Sequence, residues 1–296
     1  MSRGGPRSTR RSGAGAAPLT ERSSRVAGAR KLTRRAGRER AGAFLAEGAQ
    51  AVRESLSAQS AGTAHVRDLF ATEEAAARYP ELYEAALAAD IRVHDVTDRA
   101  AASLSETVTP QGLVAVCDLP AHPSGRTVDD VLTGSPLLVA VLVDVADPGN
   151  AGTVVRVADA AGCSAVVFAG DTVDPYNGKA VRASTGSVFH LPLARERDAE
   201  AVFAACRRAG LLSVGADGHA ADDLDTAEVR GDLAGPTAWV FGSEAHGLAQ
   251  RVAQLDSTLR VPLYGRAESL NLATAAAVCL YASARAQRRA GVGQRA

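Results

Sequence analysis

Three short blocks of this chain set glycine beside amide, carboxylate and guanidinium groups at spacings that suit a ligand site. The first is DPGNAGTVVR, with Asn150, Gly152 and Arg156. The second is FGSEAHG, which contains Phe241, Gly242, Glu244 and Gly247. The third is VPLYGRAESLN, which runs from Val261 and Pro262 through Leu263, Gly265 and Ser269 to Leu270 and Asn271. Glycine at a strand end lets backbone approach a ligand closely. A helix N-terminus beside it offers N–H groups with no intrahelical partner. The stretch 239–277 supplies two such turns, each led in by a short apolar strand, and then a Ser-Leu-Asn opening a small-residue helix. Those are the parts of a small-molecule pocket. The G-x-G-x-x-G fingerprint after a first strand and the P-loop pattern are both absent, which disfavours NAD enzymes and NTPases.

The elements that must position these blocks follow from hydrophobic patterning. PLLVAVLVDV (136–145) is a continuous apolar run typical of a strand buried on both faces. DPGN (147–150) turns the chain into a helix over about 151–161. Strands are expected at 165–170, 211–217 and 237–242, with helices near 179–184 and 199–208 and a closing helix over 270–289. This alternation predicts a mainly parallel sheet with helices on both faces. The three blocks fall at its strand ends or helix starts, where ligands of open parallel sheets collect. In front lies a smaller α/β unit. It has a basic helix from Arg30, strands at 43–46, 63–71, 91–96 and 111–119, and helices after 48 and over 73–90. The resulting organisation is a disordered basic tail (1–25), a small domain (26–119), a linker (120–135) and a larger domain (136–290).

Each functional residue also has a plainer reading. Arg156, the sharpest of the candidates, shares a helical stripe with Gly152 and Ala160, and its plainer reading is an arginine on a solvated helix face. Asn150 could cap its helix or hold a left-handed turn. Glu244 lies between glycines, where a carboxylate is most often solvated, and Ser269 is a natural N-cap for the last helix. Lys179, Arg182 and Ser184 lie along a nucleic-acid path or simply on the surface, and His246 is incidental.

Composition narrows the partners. Net charge is zero, yet residues 1–40 hold twelve Arg and Lys against two acidic residues, a balance of +10 that leaves −10 on the remainder. Such an arginine-rich segment cannot bury enough apolar surface to order itself and suits a polyanion, in the first place nucleic acid. A merely solubilising tail is the alternative. Four scattered cysteines (Cys117, Cys163, Cys206, Cys279) fit reduced, buried thiols, and neither they nor the six histidines have metal-ligand spacing. No metal is expected. With no secretory leader and no apolar run of spanning length, a cytoplasmic, membrane-free location is expected.

Taken in order, the blocks resemble the three signature motifs of the SpoU/TrmH family of RNA 2′-O-ribose methyltransferases, within the SPOUT superfamily. The first matches the family's Asn-x-Gly…Arg, the second its Gly-x-Glu-x-x-Gly and the third its Pro-x-x-Gly…Ser-Leu-Asn, with KAVRASTGSVFHLP (179–192) between. The likeness covers residues 137–289. More loosely, residues 30–119 resemble the ribosomal-protein-like RNA-binding domain that many members carry in front. The resemblance implies a trefoil-knotted α/β domain with a mainly parallel sheet, S-adenosylmethionine as methyl donor and a homodimer with its site near the subunit interface. The substrate it implies is RNA, ribosomal ahead of transfer RNA. It assigns the chemistry to Asn150, Arg156, Glu244, Ser269 and Asn271. The donor side it assigns to Phe241, Gly242, Glu244, Gly247, Val261, Pro262, Leu263, Gly265, Ser269 and Leu270. A non-catalytic RNA-binding or ribosome-associated protein that keeps the fold is the alternative from another class, and methylation of a small molecule is a third.

Overall fold

In the computed structural model the chain divides into two compact units between Leu119 and Pro120. The structure describes residues 17–120, 126–135, 137–243, 247–248 and 251–291.

The front unit begins with α1 (Ser24–Arg30), a 3-10 turn (Lys31–Thr33) and α2 (Arg35–Ala41). It continues with β1 (Ala43–Glu47), α3 (Ala49–Ser60), β2 (Val66–Ala71), α4 (Glu73–Arg78) and α5 (Pro80–Ala88). β3 (Arg92–Asp95), α6 (Asp98–Ala102) and β4 (Leu113–Asp118) complete it. The strands form one sheet in the order β1-β4-β2-β3, antiparallel except for the β2–β3 pair. Two expectations are corrected here. Disorder does not reach residue 25: Leu19 N–H donates to Asp95 O at 2.8 Å, and Val26 is fully buried in the core with Leu32, Leu45 and Phe70. The basic helix is not one helix from Arg30 but two short ones: the extended backbone of Arg34, after the 3-10 turn, breaks it, and left-handed Gly42 then ends α2 before β1.

The second unit opens with α7 (Val128–Val131), a single turn within the stretch read as a linker or loop. Thr127 and Asp130 cap it reciprocally, and Val128 and Val131 are buried in the unit's core. There follow β5 (Leu138–Val143), α8 (Pro148–Ala161), β6 (Ala165–Ala169), α9 (Gly178–Ser184), β7 (Leu193–Glu196) and α10 (Ala199–Arg208). β8 (Leu212–Ala216), α11 (Leu224–Arg230), β9 (Thr237–Phe241), β10 (Ser257–Leu259) and α12 (Leu272–Arg289) end the fold. All strand pairs of this sheet are parallel, in the order β10-β8-β9-β5-β6-β7, as the alternation predicts.

β5 sits at the centre and is buried along its whole length. Its Val139, Val141 and Val143, with Ala238 and Val240 of β9, face a core shared with α7 and α10. Alternation then turns Trp239 and Phe241 to the opposite face, where their rings stack 6.3 Å apart. α12 is fastened on that side. Trp239 Nε1 donates to the buried Ser283 Oγ at 2.9 Å, and Gln287 Nε2 donates to the carbonyls of Leu137 and Gly235, both at 2.9 Å. These polar anchors fix the register of a helix made largely of alanine, whose small side chains specify position weakly. The four cysteines are free and buried. Burial pushes the thiols of Cys117, Cys163 and Cys279 up to about 12 and that of Cys206 to about 11, so they stay protonated and inert.

α8 is the helix that matters most for the site. Asp147 caps its N-terminus, Pro148 occupies the first turn, and Gly162 ends it in a left-handed conformation. Gly152 brings it against α9: a Cβ there would stand 2.2 Å from Ala180 O and 2.8 Å from Ala183 Cβ. Gly152→Val is therefore expected to destabilise the protein by about 1–3 kcal/mol. Urea unfolding checks this, and an unchanged midpoint would contradict the packing role.

Candidate active site

Because every strand pair of the second sheet is parallel, the segments that follow β5, β9 and β10 leave from the same edge of the sheet. The first block follows β5, the second follows β9 and the third follows β10. β5 and β9 are neighbours, and the chain leaves β7 on one side of the sheet to resume at β8 on the other. That reversal makes the carboxyl ends of the central strands a switch point, where open parallel sheets bind ligands.

A side-chain hydrogen bond joins the first block to the third across 121 residues of chain: Asn271 Nδ2 donates to Asn150 Oδ1 at 3.0 Å. Asn271 also caps α12, its Oδ1 accepting from the N–H groups of Ala273 (2.9 Å) and Thr274 (3.3 Å). The expected cap, Ser269, lies two residues before this position and is exposed, and the helix starts at Leu272 rather than Leu270. Asn271 wins because its amide both caps and donates, whereas a serine hydroxyl could not span to Asn150 while capping.

Asn150 is likewise not a cap. It lies inside the first turn of α8, and its N–H donates to Asp147 Oδ1 at 2.8 Å. Asp147 Oδ2 accepts from Lys179 Nζ at 2.7 Å. The Lys179 ammonium, with the Asn150 N–H behind it, holds the Asp147 carboxyl below its ordinary range. Asp147 was missed by attention to Asn150, although Asp before Pro at a helix start signals a cap. Lys179 is thus committed to α8. Ser184, read as lying on the same path, is buried and donates to Val181 O.

In the second block Gly247 has a φ of 55° and donates its N–H to Ser243 O at 2.9 Å. The turn closes so tightly that a Cβ on Gly242 would stand 2.2 Å from Gly247 O, which only glycine permits. Phe241 is buried beneath it. Glu244 and His246 lie outside the described residues. The third block is irregular chain: among the described residues, the main chain of 261–270 makes no hydrogen bond. Val261 and Pro262 are half-buried, whereas Leu263, Gly265, Ser269 and Leu270 are exposed. The segment is held from its two ends and once between. Arg260 donates to the carbonyls of Ala220 and Ala221 and pairs with Asp223, the Tyr264 hydroxyl donates to the Asp225 carboxylate, and Asn271 reaches Asn150. The first two tethers are tertiary pairings with no local sequence signal.

Arg156 is exposed on α8, one turn beyond Gly152, and among the described residues it has no ion pair or hydrogen bond. Its guanidinium is available to an anion. The joined arrangement is therefore a free cation on one helix, an amide pair bridging two helix starts, and an exposed stretch of chain with open backbone groups. Such a site can grip a phosphate and hold a polar cofactor through main chain.

Comparison with known proteins gives this geometry its class. The sequence profile of the SpoU rRNA Methylase family matches residues 137–281, and that of the MRM3-like substrate binding domain matches residues 23–115. The chain is 34% identical over 257 residues to the 23S rRNA (guanosine(2553)-2'-O)-methyltransferase RlmP of Bacillus subtilis, spanning 85% of this chain and 92% of that one. It is 36% identical over 182 residues to the 23S rRNA (uridine(2479)-2'-O)-methyltransferase of Streptomyces viridochromogenes, spanning 60% and 61%. Among solved structures, the AdoMet-bound rRNA methyltransferase from Sinorhizobium meliloti superposes with a TM-score of 0.76 at 28% identity, covering 91% of this chain and 97% of that one. The SpoU methyltransferase AviRb from Streptomyces viridochromogenes, in complex with AdoMet, does so with a TM-score of 0.73 at 32% identity, covering 91% and 100%. The fold and site define a SPOUT-type α/β methyltransferase, and the chain belongs to the SpoU rRNA methylase family. It is accordingly an S-adenosylmethionine-dependent RNA 2′-O-ribose methyltransferase.

The Asp147–Lys179 pair gives a pH signature. Because the folded carboxyl titrates below its unfolded value, the pair stabilises above about pH 4 and is lost as pH falls through the depressed folded value. Asp147→Asn keeps a competent cap and removes the charge. The variant's deficit in urea midpoint at pH 7 is expected to shrink toward zero in acid. A deficit independent of pH would contradict the ion-pair role.

Proposed function

We propose that the RNA is 23S ribosomal RNA, that Arg156 and Asn150 handle the target nucleotide, and that residues 261–270 together with Gly242 hold the methyl donor. The observation that carries this reading is the Asn150–Asn271 hydrogen bond, which makes one site of two distant segments. The 23S assignment draws on the substrates named for the Bacillus subtilis and Streptomyces viridochromogenes relatives.

The residues present fit S-adenosylmethionine. Its adenine, ribose and amino-acid groups need donors and acceptors, and the main chain of 261–270 offers both without an internal partner among the described residues. Gly242 lets the turn close on Gly247 and so sets the backbone that would flank the donor. The donor supplies an electrophilic methyl group on a sulfonium that leaves readily, so alignment is the main catalytic task. Asn271 serves that task by registering the donor segment against α8. Ser269 and Leu270, just before it, line the same segment.

Arg156 acts as a clamp rather than a base. A guanidinium keeps its proton at any pH at which the protein works, and a neighbouring phosphate anion holds that proton more firmly still. A planar fork on a phosphate positions the ribose hydroxyl and steadies negative charge on the attacking oxygen. The hydroxyl proton passes to water as the methyl group is transferred and the sulfonium leaves as a neutral thioether.

Two copies pair, on this reading, across the face where α12 meets α8. Val278 and Tyr281 are exposed there, and the Tyr281 hydroxyl donates to Ala160 O at 3.4 Å, one turn from Arg156. A subunit interface at this face would stand beside the site. The family's trefoil knot, with the C-terminal segment threaded through a loop, belongs to the same proposal. So does a cytoplasmic location; among the described residues no helix is long and apolar enough to cross a membrane.

Transfer of labelled methyl from S-adenosylmethionine to an unmodified 23S transcript tests the reading, with Arg156→Lys alongside wild type. The wild type is expected to label the transcript. The lysine variant should lose about 100-fold in kcat/KM at every pH, because a point charge does not reproduce the fork. Recovery of the variant at alkaline pH would identify residue 156 as the base.

A further inference from the structure

Six of the twelve described arginines of the front unit pair with a neighbouring carboxylate. Arg25 and Arg92 share Asp68, Arg35 pairs with Glu39, Arg53 with Glu81, Arg67 with Asp118 and Arg99 with Glu21. Arg30, Lys31, Arg34 and Arg40 do not pair, and neither do Arg22 and Arg78; the first four are exposed and lie together, and among the described residues none has an ion pair. All four line one basin of about 740 Å³, a size typical of ligand sites. The single carboxylate on its rim is Glu106.

The basin is built rather than incidental. Arg38 is buried and gives its guanidinium to the carbonyls of Leu32 (3.0 Å) and Thr33 (3.1 Å), which pins the 3-10 turn between α1 and α2. Gly37 packs so closely on that turn that a Cβ would stand 1.9 Å from Lys31 O. The floor is small, with Ala27, Gly28, Ala36 and Ala41. A helix C-terminus accounts for the cations at Arg30 and Lys31. It does not account for Arg34, which lies in extended backbone between the 3-10 turn and α2.

We propose that this basin grips a run of phosphates of the substrate RNA. The inference takes the identity of the polyanion from the RNA methyltransferase reading, and the basin itself from geometry and charge. Its four cations meet a run of phosphates as charges and forks, so the grip positions RNA rather than reads its sequence. Binding here releases counterions from the RNA and therefore weakens with salt.

Gly28 allows a clean test. It is a helical position with nothing within 4 Å of a built Cβ, so a side chain enters the basin without disturbing the fold, and any such residue suits a helix better than glycine. Filter binding of the full chain to an unmodified 23S transcript is measured against salt for wild type, Gly28→Ala, Gly28→Glu and the triple variant Arg30→Gln/Arg34→Gln/Arg40→Gln. Gly28→Glu is expected to weaken binding at least about tenfold, the cost of a carboxylate set among phosphates. The triple variant should flatten the slope of log affinity against log salt by about 2. Gly28→Ala should stay within about twofold of wild type, and calorimetric binding of S-adenosylmethionine should be unchanged in all. Unaltered RNA affinity in Gly28→Glu and the triple variant, or an equal loss in Gly28→Ala, would overturn the basin. Wild type that transfers no methyl group, while Gly28→Glu still loses RNA, would overturn the activity and leave the basin standing.

Discussion

The hydrogen bond from Asn271 to Asn150 ties the first turn of α8 to the start of α12, two helices that also pack on each other further along. One end belongs to the first turn of α8 and the other to the cap of α12. α8 carries Arg156, and the irregular segment leading into α12 is the stretch with open main-chain groups. A site for two reactants needs both halves in register, since a displacement of about 1 Å costs a reaction dearly. Capping and bridging by the same amide mean that α12 starts only where the joint is made.

The rest of the second unit serves this junction. Parallel pairing sends the three blocks to one edge of the sheet, and the reversal of strand order opens that edge between β5 and β9. Buried polar contacts to Ser283 and Gln287 hold α12 against slipping along an alanine-rich face. Gly152 lets α8 and α9 approach closely, and that contact also brings Lys179 to Asp147. Glycine thus sets distances here, while amides and carboxylates set directions.

Much of this was legible in the sequence. The buried run at 136–145, the alternation behind it and the order of the three blocks gave the parallel α/β fold, and the resemblance they carry gave the family and its methyl donor. Local competition was harder to read. Ser269 and Asn271 both suit a helix start, and only the position of Asn150, far away in sequence, decides between them. Asp147 was overlooked beside Asn150 for the same reason. Helix α7 was hidden because one turn with Thr and Asp caps reads as loop until its valines find a core. The tethers of Tyr264 to Asp225 and of Arg260 to Asp223 leave no trace in patterning, because exposed polar pairs follow from the fold rather than produce it.

A double-mutant cycle on Asn150 and Asn271, read as kcat/KM for methyl transfer to RNA, tests the joint most directly. Loss of the α12 cap is common to Asn271→Ala and the double variant and cancels in the cycle. A coupling of about 1 kcal/mol or more is expected, because either single change already breaks the bridge. Effects that add to within about 0.3 kcal/mol would show that the two halves of the site are held in register by something else.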